Sequence, residues 1–167
     1  FFANQTPRAL RNKGLIDPEQ IDDYIARDGY LGAAKALFEM SPDDIVEEVK
    51  ASGLRGRGGG GFPTGVKWDF AKKSPGDVKY VLCNADEGEP GTFKDRVLLN
   101  SYADEVFEGM TLCAGVIGAR RGYLYLRGEY RTLLAPLNAV LERRRQAGLL
   151  GDRILGREDF AFDIEIH

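Results

Sequence analysis

The sequence predicts an α/β domain built on a parallel sheet with helical crossovers, preceded by a helical N-terminal extension. Three observations carry this. Residues 78–83 and 122–127 are apolar runs of strand length, and residues 160–166 alternate apolar and polar. Between these runs lie segments whose apolar residues recur at helical spacing. Strand, helix, strand, helix, strand is the order of right-handed crossovers that feed a parallel sheet.

The extension, residues 1–52, is polar and helical. Asp17-Pro18 is a helix-start signal, with Ile21, Tyr24 and Ile25 at helical spacing behind it. A second helix is predicted over residues 30–39. Ser41-Pro42-Asp43-Asp44 opens a third, with acids in the first turn where the dipole favours them. Ile45, Val46 and Val49 form its apolar stripe, and Gly53 suits the position just past its end.

Residues 53–167 form the α/β part. Residues 55–65 read RGRGGGGFPTG, a glycine density that no helix or strand interior tolerates. A short helix is expected over 66–73 and a first strand over 78–83, running into a carboxylate-bearing loop at 84–91. Val106, Met110, Cys113 and Ile117 mark an amphipathic helix over 102–117. The second strand follows at 122–127. Leu133, Leu137, Val140 and Leu141 mark a further helix that ends in Arg143, Arg144 and Arg145, read as a solvated helix end. The last strand places Phe160, Phe162, Ile164 and Ile166 on one face.

Composition excludes several classes. A net charge of −3 argues against nucleic-acid binding. No run of apolar residues is long enough to span a bilayer, and no secretion signal opens the sequence. Cys83 and Cys113 are far apart, so they read as small buried thiols rather than ligands of a metal or cluster. Phe1-Phe2 without an initiator methionine, and a final strand without a turn signal, read as the ends of a truncated chain.

Two loops carry the chemistry. Consecutive glycines let backbone N–H groups approach a ligand with no Cβ in the way, and an anion at a following helix start gains from free donors and the dipole. Residues 56–61 thus suit a phosphate, with Lys67 supplying positive charge. The spacing fits neither the dinucleotide fingerprint, which needs a strand before it, nor the Walker pattern, in which lysine would stand one place earlier. A flexible linker is the structural alternative. Asn84, Asp86, Glu87 and Glu89 follow the end of a parallel strand, where ligands of open α/β sheets sit. Carboxylates repel phosphate but accept hydrogen bonds from hydroxyl and ring N–H groups, such as a ribityl chain or a flavin ring. A magnesium site and a solvated turn are alternatives. No nucleophile–base pair stands out and the single histidine is His167, so no catalytic side chain is assigned.

Together, SGLRGRGGGGFPTGVKW (52–68) and CNADEGEPGTFKDR (83–96) resemble the paired signatures of the NADH-binding flavoprotein subunit of respiratory complex I. The related diaphorase subunits of NAD-linked and bifurcating hydrogenases and of formate dehydrogenases share them. The resemblance implies a Rossmann-like FMN-binding domain that transfers hydride from NADH to FMN. By it, Gly56, Arg57, Gly58, Lys67, Asn84, Asp86 and Glu87 match FMN-site positions. Gly59, Phe62, Phe70 and Glu89 match positions around NADH. It further implies iron–sulfur partner subunits, a 4Fe-4S cluster only in a C-terminal part missing from this chain, and a cytoplasmic location without membrane insertion. Residues 1–167 alone are expected to be inactive. Gly60 departs from the family, which often has alanine there. A non-catalytic nucleotide-binding or docking module reusing the same loops is the competing expectation.

Overall fold

The computed structural model describes residues 4–167. Its elements are α1 (Ile21–Ile25), α2 (Leu31–Glu39), α3 (Pro42–Ala51), α4 (Thr64–Lys73), β1 (Tyr80–Ala85), α5 (Lys94–Ser101), α6 (Ala103–Ile117), β2 (Arg121–Leu126), α7 (Leu134–Gln146) and β3 (Asp163–Ile166). The strands lie in the order β1-β2-β3 and both pairings are parallel, with Tyr80 opposite Arg121 and Arg121 opposite Asp163. This is the parallel α/β sheet that the sequence predicts, with β1 starting two residues later than expected.

Alternation decides what each strand buries. Val81, Ala85, Leu124 and Ile164 turn into the core, where α6 packs on β1 and β2 and α7 packs on β3. Gly122 is needed there, because a Cβ on it would lie 2.6 Å from the Phe162 ring. The opposite face carries Tyr80, Leu82 and Tyr125, all exposed, with the Tyr80 and Tyr123 rings 5.9 Å apart. In α6 Phe107 and Ala114 are the deepest residues, Met110 and Ile117 are buried as well, and Val106 and Cys113 flank them half-buried. The buried arc is broad because α2, α3, α4 and the sheet all pack on this one helix.

Local signals place some helix ends and miss others. The sequence predicts a helix opening at Ser41-Pro42-Asp43-Asp44, and there Ser41 and Asp44 form a reciprocal capping box at the start of α3. The Asp17-Pro18 signal does not open α1: the Asp17 carboxylate accepts the Glu19 N–H at 2.9 Å in a turn, and the helix begins at Ile21. Helix α5 is unforeseen, because Val97, Leu98 and Leu99 are contiguous rather than periodic. Its start is capped by Glu87, seven residues upstream of Lys94.

The arginine run is not a uniformly solvated helix end. Arg144 is 0% exposed. Its Nη1 donates to the Tyr30 hydroxyl and, at 3.1 Å, to the Asp104 carbonyl, and its guanidinium lies 4.8 Å from the centroid of the Tyr30 ring. The Tyr30 hydroxyl donates in turn to Asp104 Oδ1 at 2.8 Å. One helical turn along α6, Glu108 accepts the Tyr24 hydroxyl at 2.6 Å and the N–H groups of Tyr30 and Ala33 at 3.0 and 3.2 Å. Glu108 thereby caps α2, whose own N-terminal residue, Tyr30, offers no side-chain cap. Burial pushes both tyrosine hydroxyls well above the ordinary phenol range, with Glu108 adding to the effect at Tyr24 and Arg144 opposing it at Tyr30.

Among the described residues, no helix is long and apolar enough to cross a membrane. Removing Arg144 strands the Asp104 carboxylate in the interior. Arg144→Ala should lower the unfolding free energy by about 3–5 kcal/mol. Arg143→Ala should change it by about 0.5 kcal/mol or less. Urea unfolding of the two variants checks the contrast.

Candidate functional site

The glycine loop hangs from a narrow neck. Arg55 and Pro63 form an isolated antiparallel bridge, Gly56 N–H donates to the Phe62 carbonyl at 2.9 Å, and Thr64 N–H donates to the Leu54 carbonyl at 2.9 Å. Arg55 Nη1 crosses the loop to the Gly61 carbonyl at 3.1 Å. Gly59 and Gly61 take φ of 101° and 60°, which glycine adopts without strain. A Cβ at any of residues 58–61 would meet nothing within 4 Å, so the loop stands clear of the fold. Among the described residues, the N–H groups of 57–61 have no acceptor.

Helix α4 starts directly behind the loop, with no side-chain cap at Pro63. Gly65 lets its first turn press onto α3, since a Cβ there would lie 2.7 Å from Lys50 N. Lys67 is exposed on this helix, close enough to Cys113 on α6 to act on its thiol electrostatically. Phe62 and Phe70 are exposed, with ring centroids 6.5 Å apart. An unpaired run of N–H donors, an uncapped helix start and a lysine within its first turn fit a phosphate-bearing group.

The second cluster sits at the C-terminal ends of β1 and β2. Asn84, Asp86 and Glu89 are exposed there, and Asn84 Oδ1 accepts the Asp86 N–H at 2.9 Å. Glu87 differs from its neighbours, being only 4% exposed. Its Oε1 accepts the Asp95 N–H at 2.9 Å, and its Oε2 accepts the Arg96 N–H at 3.3 Å and the Tyr130 hydroxyl at 3.0 Å. Burial acts to raise the carboxyl pKa, but these donors together hold it below the ordinary carboxylate range. The Glu87 carbonyl accepts Arg127 Nη1. Arg127, Tyr130 and Arg96 are therefore parts of this loop that the sequence does not single out. A GEY turn directly after a parallel strand is the one signal it offers for them.

The structure thus gathers the singled-out residues into two groups. Gly56, Arg57, Gly58, Gly59, Phe62, Lys67 and Phe70 belong to the loop-and-helix group. Asn84, Asp86, Glu87 and Glu89 belong to the strand-end group. Among the described residues, no hydrogen bond joins the two.

A parallel sheet with a phosphate-type glycine loop and an acceptor-rich loop at its strand ends defines a nucleotide-type cofactor domain of the α/β class. The family described as the Nuo51 FMN-binding domain matches residues 49–167. The chain belongs to that family. It is 47% identical, over 161 residues, to an NADH-quinone oxidoreductase subunit of Rhizobium meliloti, covering 96% of this chain and 38% of that protein. It is 51% identical, over 158 residues, to the HndC subunit of an NADP-reducing hydrogenase of Solidesulfovibrio fructosivorans, covering 95% and 32%. A crystal structure of an NAD+-reducing NiFe hydrogenase in the air-oxidised state superposes with a TM-score of 0.69 at 38% identity, covering 97% of this chain and 25% of that one. The chain spans about a third of the length of these curated relatives.

Both cysteines are free and half-buried rather than fully buried. Burial raises the thiol of Cys83 to about 11 and that of Cys113 to about 12, the latter despite Lys67. Neither supplies a thiolate nucleophile near neutral pH. At pH 8 both should react with a disulfide reagent about a hundredfold or more slowly than free cysteine, and at the ordinary rate once unfolded. Because the folded pKa values are raised, these thiols favour the fold below the ordinary thiol pKa and lose that contribution as pH climbs towards 11.

Proposed function

We propose that this chain is the FMN-binding part of an NADH-oxidising subunit. The observation that carries the reading is the run of acceptorless N–H groups at 57–61 ahead of uncapped α4, in a chain of this family. Residues 53–167 form the cofactor domain and 1–52 its helical extension. The free backbone N–H groups of Arg57 and Gly58 hold the FMN phosphate, Gly56 closes the neck beside them through its own N–H to the Phe62 carbonyl, and Lys67 adds its charge. Asn84, Asp86 and Glu87 belong to the strand-end loop that receives the polar chain and ring.

Gly59, Phe62, Phe70 and Glu89 receive NADH. The exposed Phe62 and Phe70 rings offer stacking surfaces, and Gly59 lets the dinucleotide approach the backbone. Bound FMN supplies the redox chemistry, accepting hydride from NADH and returning electrons one at a time. The protein's part is to bind and orient, and no side-chain acid or base is required. A 4Fe-4S cluster and iron–sulfur subunits outside residues 1–167 would take up the electrons, and no residue of 1–167 is assigned to hold a cluster. The whole protein works as an oxidoreductase subunit of a multi-subunit redox complex, on the cytoplasmic side.

The test is an anaerobic titration of the whole natural polypeptide. It should bind FMN, and NADH should bleach the visible flavin band. A polypeptide that binds no flavin, or a bound flavin that NADH leaves oxidised, refutes the reading. Gly58→Glu places a carboxylate in open space beside the phosphate donors and should weaken FMN binding at least about tenfold without unfolding the protein. Phe70→Ala should instead raise KM for NADH and leave FMN affinity unchanged.

A further inference from the structure

We infer that Tyr130 and Arg127 are positioning residues for the flavin site, acting through Glu87 to fix the shape of the strand-end loop. The inference rests on the function proposed above. Resemblance alone would place the Glu87 carboxylate on the cofactor, but the geometry points it the other way. Asp86, Gly88 and Glu89 are exposed around it, whereas Glu87 is enclosed. Gly88 N–H donates to the Asp86 carbonyl at 3.0 Å, so the chain makes a tight turn centred on Glu87 and drives its side chain inward.

A carboxylate presents about four lone-pair sites, and the N–H groups of Asp95 and Arg96 with the Tyr130 hydroxyl take three of them. Two of these donors are the free N–H groups at the start of α5, so Glu87 acts as a helix cap supplied from a distance. The third comes from the turn after β2. Arg127 ties the same turn down twice: its guanidinium reaches the Glu87 carbonyl, and its own N–H donates to the Ala85 carbonyl at 3.2 Å. The guanidinium groups of Arg96 and Arg127 each lie 5.8 Å from the centroid of the Tyr130 ring, holding that ring in place.

Asp86 and Glu89 owe their exposure to this arrangement. With Glu87 locked inward at the centre of the turn, its neighbours face solvent at the strand ends, where a ligand would meet them. The contribution of Glu87 to the cofactor is therefore the loop's shape, not a direct contact by its carboxylate.

The test uses Tyr130→Phe in the whole natural polypeptide, with two readouts. Without cofactor, hydrogen exchange at the Asp95 and Arg96 amides should quicken about tenfold, the worth of one net hydrogen bond, while exchange at Ala33, under the distant Glu108, stays unchanged. FMN affinity, followed by quenching of flavin fluorescence, should fall about tenfold, with an altered visible spectrum for the flavin that still binds. Unchanged exchange at Asp95 and Arg96 overturns the inference. So does quicker exchange with unchanged flavin affinity. Should Tyr130→Phe fail to fold, Glu87→Gln decides in the same way, since its amide group opposes the Arg96 N–H while its oxygen still accepts from Asp95. If the unmodified polypeptide binds no FMN, the proposed function fails, and the exchange readout still tests the Glu87 contacts.

Discussion

Burying a carboxylate inside a small α/β domain is possible only where other elements supply its donors, and this constraint organises the whole chain. Glu108 on α6 accepts two N–H groups from the start of α2 and a hydroxyl from Tyr24. The two N–H groups would otherwise be unsatisfied at a buried helix end, and the Tyr24 hydroxyl would lack its acceptor. Asp104 and Arg144 extend the same network to α7, so the first helices, the central helix and the last helix are held by one connected set of polar contacts. Tyr30 takes a left-handed φ of 64°, uncommon for an aromatic residue, and the hydrogen bonds at its N–H and hydroxyl hold it there.

Glu87 repeats the device in the loop at the C-terminal ends of the strands. It too is a buried glutamate that caps a helix from outside that helix, and it too recruits a tyrosine hydroxyl from a third element. The consequence differs because of place. Glu108 secures the packing of the N-terminal helices, whereas Glu87 shapes a loop at the strand ends, where a cofactor domain does its work. Among the described residues, the glycine loop is held by its neck and by the Arg55 guanidinium at the Gly61 carbonyl. An anchored strand-end loop and a donor-rich glycine loop suit the proposed pairing of a phosphate-bearing cofactor with a second nucleotide.

Much of this is legible in the sequence because the signals are local. Ser41 and Asp44 sit three apart, and a capping box needs nothing else. The strand and helix periods report the parallel sheet, and the glycine and carboxylate motifs mark both loops. The misreadings have separate causes. Arg144 looks like any charge near a helix end, until α6 and Tyr30 close over it. Asp17-Pro18 looks like a helix start, but its side chain finds a nearer amide and makes a turn. Helix α5 has no stripe of its own and owes its first turn to Glu87.

The sequence by itself determined the three strands, most of the helices, the two ligand-type loops and the family, since each depends on residues close together along the chain. Tertiary structure alone decided which charges are buried, which carboxylate turns inward and which stay free for a ligand. Those outcomes depend on donors contributed by elements 40 or more residues away, as with Tyr130 for Glu87 and Tyr30 for Glu108. A charged side chain carries no mark in sequence of whether such donors will reach it. Only the packing that excludes water settles whether it is solvated or must be satisfied by the protein.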